Sequence, residues 1–253
     1  MEVITDTDEI LRHSSHRPFP IADRPWRMQQ EWHDLLFAHW PVDANHLRGL
    51  VPEPLELDLY NGEAWVAVTP MYISGLTLRG MPPFPNISQF LELNVRTYVR
   101  HRGIPGVFFF SLDAESFPAV LGARAGYLLP YLHARMAARR ERHRVIFSSS
   151  RKHRGSTAEF EATYAPVGDP LPPAEGTREQ FLTNRYCLYT VGRGGRAYRG
   201  HIHHLPWPLQ GAQAEMRRNT MAAAAGIELP DAQPLLHFSR YIKVLVWPLR
   251  AAD

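Results

Sequence analysis

The sequence predicts a mainly β protein, an antiparallel β-barrel with a few covering helices. Three observations support this. Many short stretches alternate or run apolar as strands do, Gly, Pro and Asn separate them at close intervals, and few stretches have a helical composition. Hydrophobic residues make up 45% of the 253 residues and charged residues 21%, which is an ordinary globular composition.

The first strand signals lie in the N-terminal third. Residues 55–60 read Leu-Glu-Leu-Asp-Leu-Tyr, a strict alternation that is typical of a half-buried strand. Asn61-Gly62 supplies a turn signal, and residues 64–70 form a second apolar strand. A third strand follows over residues 90–100, and residues 107–112 are apolar apart from Ser111, as in a central strand.

The strand over residues 90–100 has an apolar and a polar face. Its apolar face holds Leu91, Leu93, Val95 and Val99, and its polar face holds Glu92, Asn94, Arg96 and Tyr98. In a solvated sheet the polar face simply lies outside. In a barrel it lines a wet lumen, where arginine grips a carboxylate and a glutamate or tyrosine moves a proton. Both interpretations stay open on the sequence alone.

Helices are expected in two places. Residues 120–142 are rich in Ala, Leu, Arg and Met, although Pro130 must break or start a helix there, and residues 210–225 form a second helical stretch that Gly226 ends. Residues 177–189 read as a short helix or a strand. We expect residues 1–25 to form an extended or disordered arm, and residues 26–253 to form a single barrel domain.

Composition excludes several classes of protein. No apolar run reaches about 18 residues, so no membrane span is expected, and residues 1–10 do not resemble a signal peptide. The single cysteine, Cys187, rules out an internal disulfide and fits the cytoplasm. The basic runs at 135–144 and 151–154 fit a solvated helix face and a loop better than a nucleic-acid site, so no nucleic-acid partner is expected.

The sharpest local motif is His201-Ile202-His203-His204. On a strand, His201 and His203 share one face and could ligate a metal, with Glu92 or His237 as a third ligand. The alternative is that they are hydrogen-bonding histidines near a strand end. Because two histidines without a nearby third ligand are a weak signal, no cofactor is expected.

Several segments carry a family resemblance. Residues 41–58, from Pro41-Val42-Asp43 to Val51-Pro52-Glu53-Pro54-Leu55-Glu56-Leu57-Asp58, resemble the N-terminal segment of the acetoacetate decarboxylases. Asn94-Val95-Arg96-Thr97-Tyr98 and His203-His204-Leu205-Pro206-Trp207 resemble the YqjF-like (DUF2071) proteins of the same superfamily. The similarity extends over about residues 18–250, and it implies an acetoacetate decarboxylase-like β-barrel with a ligand cavity.

The resemblance also implies a site without the catalytic lysine. The lysine pair of the decarboxylases falls on Tyr131-Leu132, and tyrosine cannot form an imine. The resemblance places Arg124, Tyr127 and Tyr131 in the cavity, with Glu92 and Arg96 from the preceding strand. We take Glu92 and Tyr131 as catalytic candidates and Arg96, Arg124 and Tyr127 as ligand-binding candidates. The alternative is that Tyr127 and Tyr131 are core residues four apart on a helix.

Three functions remain in competition. The first is binding of, or action on, a small organic acid or carbonyl compound without a Schiff-base lysine, through lyase or hydrolase-type chemistry. The second is non-catalytic binding or sensing of a small molecule on the same barrel, since fold does not fix function. The third is a metal-dependent enzyme at His201 and His203. A homo-oligomer is compatible with all three.

Overall fold

The computed structural model describes residues 4–82, 88–118, 120, 126–153 and 156–252, without the side chains of residues 152, 153 and 156. The fold is mainly β, as predicted. The strands are Met28–Val42 (β1), Glu56–Leu57 (β2), Ala64–Leu78 (β3), Phe90–His101 (β4), Ile104–Ala114 (β5), Tyr131–His133 (β6), Arg135–Glu141 (β7), Arg144–His153 (β8), Ser156–Leu171 (β9), Cys187–Val191 (β10), Ala197–His203 (β11), Leu209–Asn219 (β12), Leu235–Val246 (β13) and Arg250–Ala251 (β14). Short helices span Thr7–Arg12 (α1), Ala44–Leu50 (α2) and Arg178–Thr183 (α3). None of the helices in these ranges is long and apolar enough to cross a bilayer.

Seven strands close into a ring. Around it, β1 pairs with β3, β3 with β4, β4 with β5, β5 with β10, β10 with β11, β11 with β13, and β13 again with β1. All these pairings are antiparallel except that of β5 with β10. The ring closes at a short seam between β11 and β13, where Ile202 lies opposite Val246 and His203 opposite Leu245. Apolar side chains from the seven strands fill much of the interior.

The remaining long strands form a wing outside the ring. From β13 the sheet continues through β12, β9 and β8 to β7. A second apolar core joins this wing to the outer side of β1, β3 and β4, and it includes Leu36, Val68, Leu93, Phe147 and Phe160. Strand β4 is therefore covered on both sides.

The predicted alternation of β4 is confirmed. Leu91, Leu93 and Val95 pack under the wing, while Glu92, Asn94 and Arg96 point into the ring. Because the polar face is buried inside the ring, the interpretation that it lies in solvent is wrong. Side chains on a strand alternate between its two faces, so one strand serves both the outer core and the lumen.

Strand β1 changes face at Asp34, which has a φ of 49°. Met28, Gln30 and Trp32 face the cavity before this residue, and Leu35 and Phe37 face the inner core after it. A left-handed residue interrupts the pleat, so the alternation restarts one position out of phase. The Asp34 carboxylate accepts hydrogen bonds from Arg140 of the wing and Arg240 of β13, which holds the irregularity in place.

The predicted helix over residues 210–225 is wrong, and so is the part of the predicted helix over residues 120–142 that follows Pro130, whereas residues 120, 126 and 127 are helical. The stretch at 131–141 forms β6 and β7, and the stretch at 209–219 forms β12. Exposed and half-buried residues alternate along β12, as they do in a strand that turns one face to solvent. Helix-favouring Ala, Met, Glu and Arg are overridden here by pairing with β9 over nine positions. Gly226 does act as the predicted terminator, with a φ of 78°, but it ends a short 3-10 turn.

The N-terminal segment also differs from the extended or disordered arm that the sequence predicts. Residues Thr7–Arg12 are helical, and the Asp6 side chain caps them by accepting from the Glu9 amide at 2.8 Å. Ile10 is buried at 1% exposure and packs with Leu245 and Trp247. The segment therefore lies against the outside of the ring near the seam.

Candidate functional site

A cavity of about 330 Å³ lies inside the ring. Volumes of this order hold small-molecule ligands in many proteins. Most of its wall is apolar, formed by Met28, Trp32, Met71, Leu76, Leu78, Phe90, Phe109, Leu112, Pro118, Leu129, Leu188, Ile202 and Val246. In the part of the chain that the structure describes, the polar lining residues are Gln30, Glu92, Asn94, Arg96, Tyr127 and Tyr131. Four of the five predicted site residues are thus brought together, and the fifth, Arg124, lies outside the described residues.

Glu92 and Tyr131 form a hydrogen-bonded pair in the cavity wall. The Tyr131 hydroxyl donates to Glu92 Oε2 at 2.7 Å, and the two residues are 9% and 4% exposed, respectively. Burial raises the pKa of Glu92 to about 7 against the lowering effect of its hydrogen bonds, and burial together with the adjacent carboxylate holds the pKa of Tyr131 well above its usual range. Glu92 therefore exchanges a proton near neutral pH, the condition for a general acid or base.

Asn94 supports this pair from the next inward position on β4. Its Oδ1 accepts a hydrogen bond from the Thr69 hydroxyl on β3. With the carbonyl oxygen engaged, the amide nitrogen is left to donate, and a hydrogen bond from Asn94 lowers the pKa of Glu92. Two donors thus hold the Glu92 carboxyl in a fixed orientation.

Arg96 occupies a further inward position on the same face and is 8% exposed. Its guanidinium lies 5.3 Å from the ring centre of Phe37. Within the described part of the chain, its Nε and Nη2 atoms are buried without a hydrogen-bond partner. A buried guanidinium with unused donors is costly, so the site has an unfilled preference for an anion.

Below Arg96 the ring is closed by a fixed hydrogen-bond chain. The Tyr98 hydroxyl donates to the Leu182 carbonyl at 2.8 Å and lies 2.7 Å from His39 Nε2. Because the hydroxyl has one hydrogen, His39 Nε2 must be the donor to Tyr98. Burial holds the pKa of His39 well below its usual range, so the ring that donates this hydrogen bond is neutral.

Tyr127 lines the cavity nearer its mouth, and burial raises the pKa of its hydroxyl to about 12. Because Tyr131 lies on β6, the interpretation of Tyr127 and Tyr131 as neighbours on one helix face is wrong. Sequence reasoning missed Gln30 and Trp32, whose side chains also line the cavity and are joined by a hydrogen bond of 2.8 Å. The spacing of Met28, Gln30 and Trp32 along one strand face was the available signal.

The histidines of the 201–204 motif contact the N-terminal segment. His203 Nε2 lies 2.9 Å from the Ile10 carbonyl, and its Nδ1 lies 3.1 Å from Arg17 Nη1. His201 packs edge-on against Phe19. Across the described ranges, no three His, Cys, Asp or Glu side chains form a group that could hold a metal. The hypothesis of a metal centre at His201 and His203 therefore gains no support.

Neither lysine of the sequence is among the residues that line the cavity in the described ranges. Lys243 donates from Nζ to the Thr5 carbonyl at 2.7 Å on the outside of the ring. The side chain of Lys152 lies outside the described residues. Tyr131 stands in the wall where the resemblance placed an amine, and the phenol hydrogen is donated to Glu92.

Comparison with known proteins agrees with this fold. The family DUF2071, described as an uncharacterized conserved protein, matches residues 29–243. The uncharacterized protein YqjF of Bacillus subtilis (strain 168) is 46% identical over 230 residues, which cover 91% of this chain and 94% of that protein. Among solved structures, acetoacetate decarboxylase of Legionella pneumophila has a TM-score of 0.63 at 15% identity, covering 100% of this chain and 98% of that one. The enduracididine biosynthesis enzyme MppR complexed with pyruvate has a TM-score of 0.62 at 11% identity, covering 92% and 93%.

Proposed function

Because this chain belongs to the DUF2071 family and has an acetoacetate decarboxylase-like fold, we propose that it binds a small organic acid or carbonyl compound in the ring cavity and transfers a proton on it. The observation that carries the proposal is the buried Glu92–Tyr131 pair in a mostly apolar cavity that also holds Arg96. Glu92 is the acid or base, and Arg96 holds the ligand anion. Tyr131 orients Glu92.

The chemistry follows from the two states of Glu92. The ionised carboxylate accepts a proton from a carbon next to a carbonyl group, and the electron pair of that C–H bond moves into an enolate. The protonated carboxyl returns the proton in the reverse step. Because the O–H of Tyr131 is engaged with Glu92, this phenol stabilises the ionised carboxylate and does not polarise the ligand carbonyl.

The structural neighbours support a ligand of this class. One is named an acetoacetate decarboxylase, and another is described in complex with pyruvate, both of which concern small oxo acids. Since the described lining of this cavity contains no lysine, we propose proton transfer without an imine. On the strength of the single buried cysteine, we also propose that the protein works in the reducing cytoplasm.

Proton exchange in D₂O tests the proposal. The protein is incubated with pyruvate, 2-oxobutanoate, acetoacetate or butanone, and loss of the proton signal next to the carbonyl is followed by NMR. We expect catalysed exchange with at least one of these compounds. The isosteric variant Glu92→Gln is expected to lower the rate about 10²- to 10⁴-fold, because its amide cannot take up the proton.

Two variants serve as controls. Tyr131→Phe keeps the carboxyl but removes its donor, so the pH dependence of exchange is expected to move upward while exchange persists. Glu141→Gln on the exposed wing is expected to leave the rate unchanged. Exchange that is equally fast in Glu92→Gln, or absent with every compound, would sink the proton-transfer proposal.

A second candidate, binding without chemistry, is favoured by the apolar character of most of the lining. In that case the compounds bind and raise the unfolding temperature, but no exchange exceeds that of the buffer. The raised pKa of the buried Glu92 favours chemistry over this alternative. Assembly into a homo-oligomer remains compatible with both.

A further inference from the structure

We infer that the ligand is an amphipathic monocarboxylate which enters carboxylate first, sets that group on Arg96 at the closed end of the cavity, and extends an apolar chain toward the mouth. This inference rests on the proposed function, because it names the ligand class of the same cavity. It adds an orientation and a length to that class. Three features of the cavity support this ligand: the unused donors of Arg96, the order of residues along β4, and the apolar wall.

The unused donors of Arg96 point to an anion. Nε and Nη2 of this guanidinium are buried and have no partner among the residues that the structure describes. These two nitrogens lie on one edge of the planar guanidinium, which is the edge that accepts a carboxylate in a bidentate manner. Leaving them empty costs the desolvation free energy of a buried charged group, and a carboxylate removes that cost.

The order of side chains sets the direction of entry. The lining residues Met28, Leu76, Leu78 and Tyr127 are half-buried, and Pro118 is exposed, so they mark the mouth. Arg96 is buried, and the fully buried Tyr98 and His39 lie behind it. Glu92 and Arg96 are four residues apart on β4, about 13 Å between Cα atoms at about 3.3 Å per residue. A ligand held by Arg96 therefore runs past Glu92 on its way to the mouth.

The wall limits the rest of the ligand. Among the described residues that line the cavity, thirteen of nineteen are apolar in character, if Trp32 and Pro118 are included, which favours a hydrocarbon chain. Glu92 is partly ionised at neutral pH, with a pKa of about 7, so it repels a second carboxylate. A liquid-water molecule occupies about 30 Å³, so a cavity of about 330 Å³ admits roughly ten non-hydrogen atoms. Hexanoate and octanoate have this size.

Calorimetric titration of the wild-type protein with a matched series of ligands tests the inference. Butanoate, hexanoate and octanoate vary the chain, hexanamide removes the charge, and hexanedioate adds a second one. Each added methylene is expected to tighten binding about fourfold, the fold-change for about 0.8 kcal/mol per buried methylene. Hexanamide and hexanedioate are each expected to bind at least tenfold more weakly than hexanoate.

Variants of Arg96 test the anchor. Arg96→Gln is expected to weaken hexanoate binding roughly ten- to a hundredfold, the loss of a hydrogen bond to a charged group, with little effect on hexanamide. Arg139→Gln on the exposed wing is the matched control and is expected to bind as the wild type does. Should Arg96→Gln fail to fold, the ligand series on the wild-type protein still decides the question.

The inference is overturned if hexanamide binds as tightly as hexanoate, if hexanedioate binds more tightly, or if chain length has no effect. Its failure is distinct from that of the proposed function. Chain-dependent carboxylate binding with no Glu92-dependent proton exchange supports the ligand class and contradicts proton transfer. Exchange on butanone with no preference for carboxylates supports proton transfer and contradicts the ligand class.

Discussion

Two ionisable side chains on one face of β4 remain separate in this cavity. Glu92 and Arg96 both point inward, but Asn94 lies between them and hydrogen-bonds on the Glu92 side. Their Cα atoms are about 13 Å apart, so Arg96 does not hold Glu92 in the ionised state. Burial then dominates and raises the pKa of Glu92 to about 7. Because the two residues are separated along the strand, Glu92 titrates near neutral pH and the Arg96 guanidinium is available to bind an anion.

The first prediction concerns the pH dependence of stability in Glu92→Gln. The pKa of Glu92 is about 7 in the folded chain, against 4.5 for the usual group, so the folded state holds more protons between these values. The contribution of Glu92 to wild-type stability therefore falls as pH rises from about 4.5 to 7 and stays level above pH 7. Glutamine does not titrate, so the variant is expected to gain up to about 3 kcal/mol relative to the wild type over this range.

Urea unfolding at pH 5 and pH 8 measures this difference. Glu141→Gln, an exposed carboxylate on the wing, is the control and is expected to show the same small change at both pH values. A difference between wild type and Glu92→Gln that is equal at pH 5 and pH 8 would mean that Glu92 titrates normally.

Individual site residues could be predicted from the sequence because side chains alternate between the two faces of a strand. Alternation placed Glu92, Asn94 and Arg96 on one face, and the resemblance placed Tyr127 and Tyr131 beside them. Whether that face lies in solvent or is buried depends on the closure of the ring, which no local sequence pattern shows. Gln30 and Trp32 were missed because Asp34 breaks the alternation of β1 in its middle.

The elements were harder to predict where composition and pairing disagree. Residues 209–219 contain Ala, Gln, Glu, Met and Arg, all good helix formers, yet pairing with β9 makes them a strand. The sequence of β12 carries a polar–apolar alternation, but its helix-favouring composition predicts a helix instead. Residues 131–141 followed the same pattern, since β6 pairs with β5 and β7 with β8. Tertiary pairing overrides weak local preference in both cases.

The N-terminal segment bridges the seam of the ring. Ile10 packs with Leu245 and Trp247 at the β13 side, and Arg17 reaches the β11 side. Arg17 Nη1 donates to the Ile202 carbonyl at 2.7 Å, and its guanidinium lies 4.7 Å from the Tyr186 ring centre. β11 and β13 pair at only two positions in the described residues. The contacts of the N-terminal segment with both strands therefore help to hold the ring closed.

The second prediction tests this bridge with Arg17→Met. Methionine keeps an apolar stem over Tyr186 but removes the charged donors, so we expect a loss of about 2–3 kcal/mol in the free energy of unfolding. Residues 4–24 are also expected to become sensitive to protease under native conditions. Arg12→Met, at an exposed position in α1, is the control and is expected to change neither property. An Arg17→Met protein as stable and resistant as the wild type would exclude a bridging role.

The third prediction concerns His203, which faces Arg17, His16 and the Ile10 carbonyl. Arg17 donates to Nδ1, so Nε2 carries the hydrogen bound to Ile10 and the ring is neutral. Burial lowers its pKa from 6.5 to about 4. The unfolded state binds more protons between these values, so this residue's contribution to stability is full above about pH 6.5 and falls as pH drops toward 4.

His203→Gln removes this titration while its amide still reaches the Ile10 carbonyl. Between pH 7 and pH 4.5, the wild type is expected to lose up to about 3 kcal/mol more stability than the variant does, by denaturant unfolding at each pH. The contribution of His203 to stability falls as pH drops, whereas that of Glu92 falls as pH rises. The two variants therefore separate the loss of stability in acid from the loss of stability at higher pH. Identical slopes for wild type and His203→Gln would contradict the neutral-ring interpretation.

The ring and the wing are packed together because β1, β3 and β4 contribute side chains to both apolar cores. A buried ion pair joins them beside the cavity. Arg151 of the wing donates from Nη1 to Asp113 Oδ1 of β5 at 2.6 Å, with side chains 4% and 0% exposed. Burial raises the pKa of Asp113 to about 6 despite this partner, and the Asp113 charge contributes to the raised pKa of Glu92. The junction with the wing therefore reaches the site electrostatically.

The fourth prediction is a double-mutant cycle across this junction. Asp113→Leu leaves the Arg151 cation buried without its partner. Likewise, Arg151→Met leaves the Asp113 carboxylate buried without its partner. Each single change is expected to cost about 3–5 kcal/mol in the free energy of unfolding. The double variant replaces the pair by two apolar side chains of similar size, so it is expected to lie closer to the wild type than either single variant does.

The same cycle separates structure from site chemistry. Removing the Asp113 charge takes away one cause of the raised Glu92 pKa, so the pH at which proton exchange responds to Glu92 is expected to move downward in the double variant. A surface pair on the wing, Arg218 with Glu159 at 3.0 Å, supplies the control cycle, and its coupling is expected to stay below about 1 kcal/mol. If the Asp113–Arg151 coupling is equally small, the pair does not fasten the wing to the ring. If coupling is large but the exchange profile does not move, the junction supports the wing without tuning Glu92.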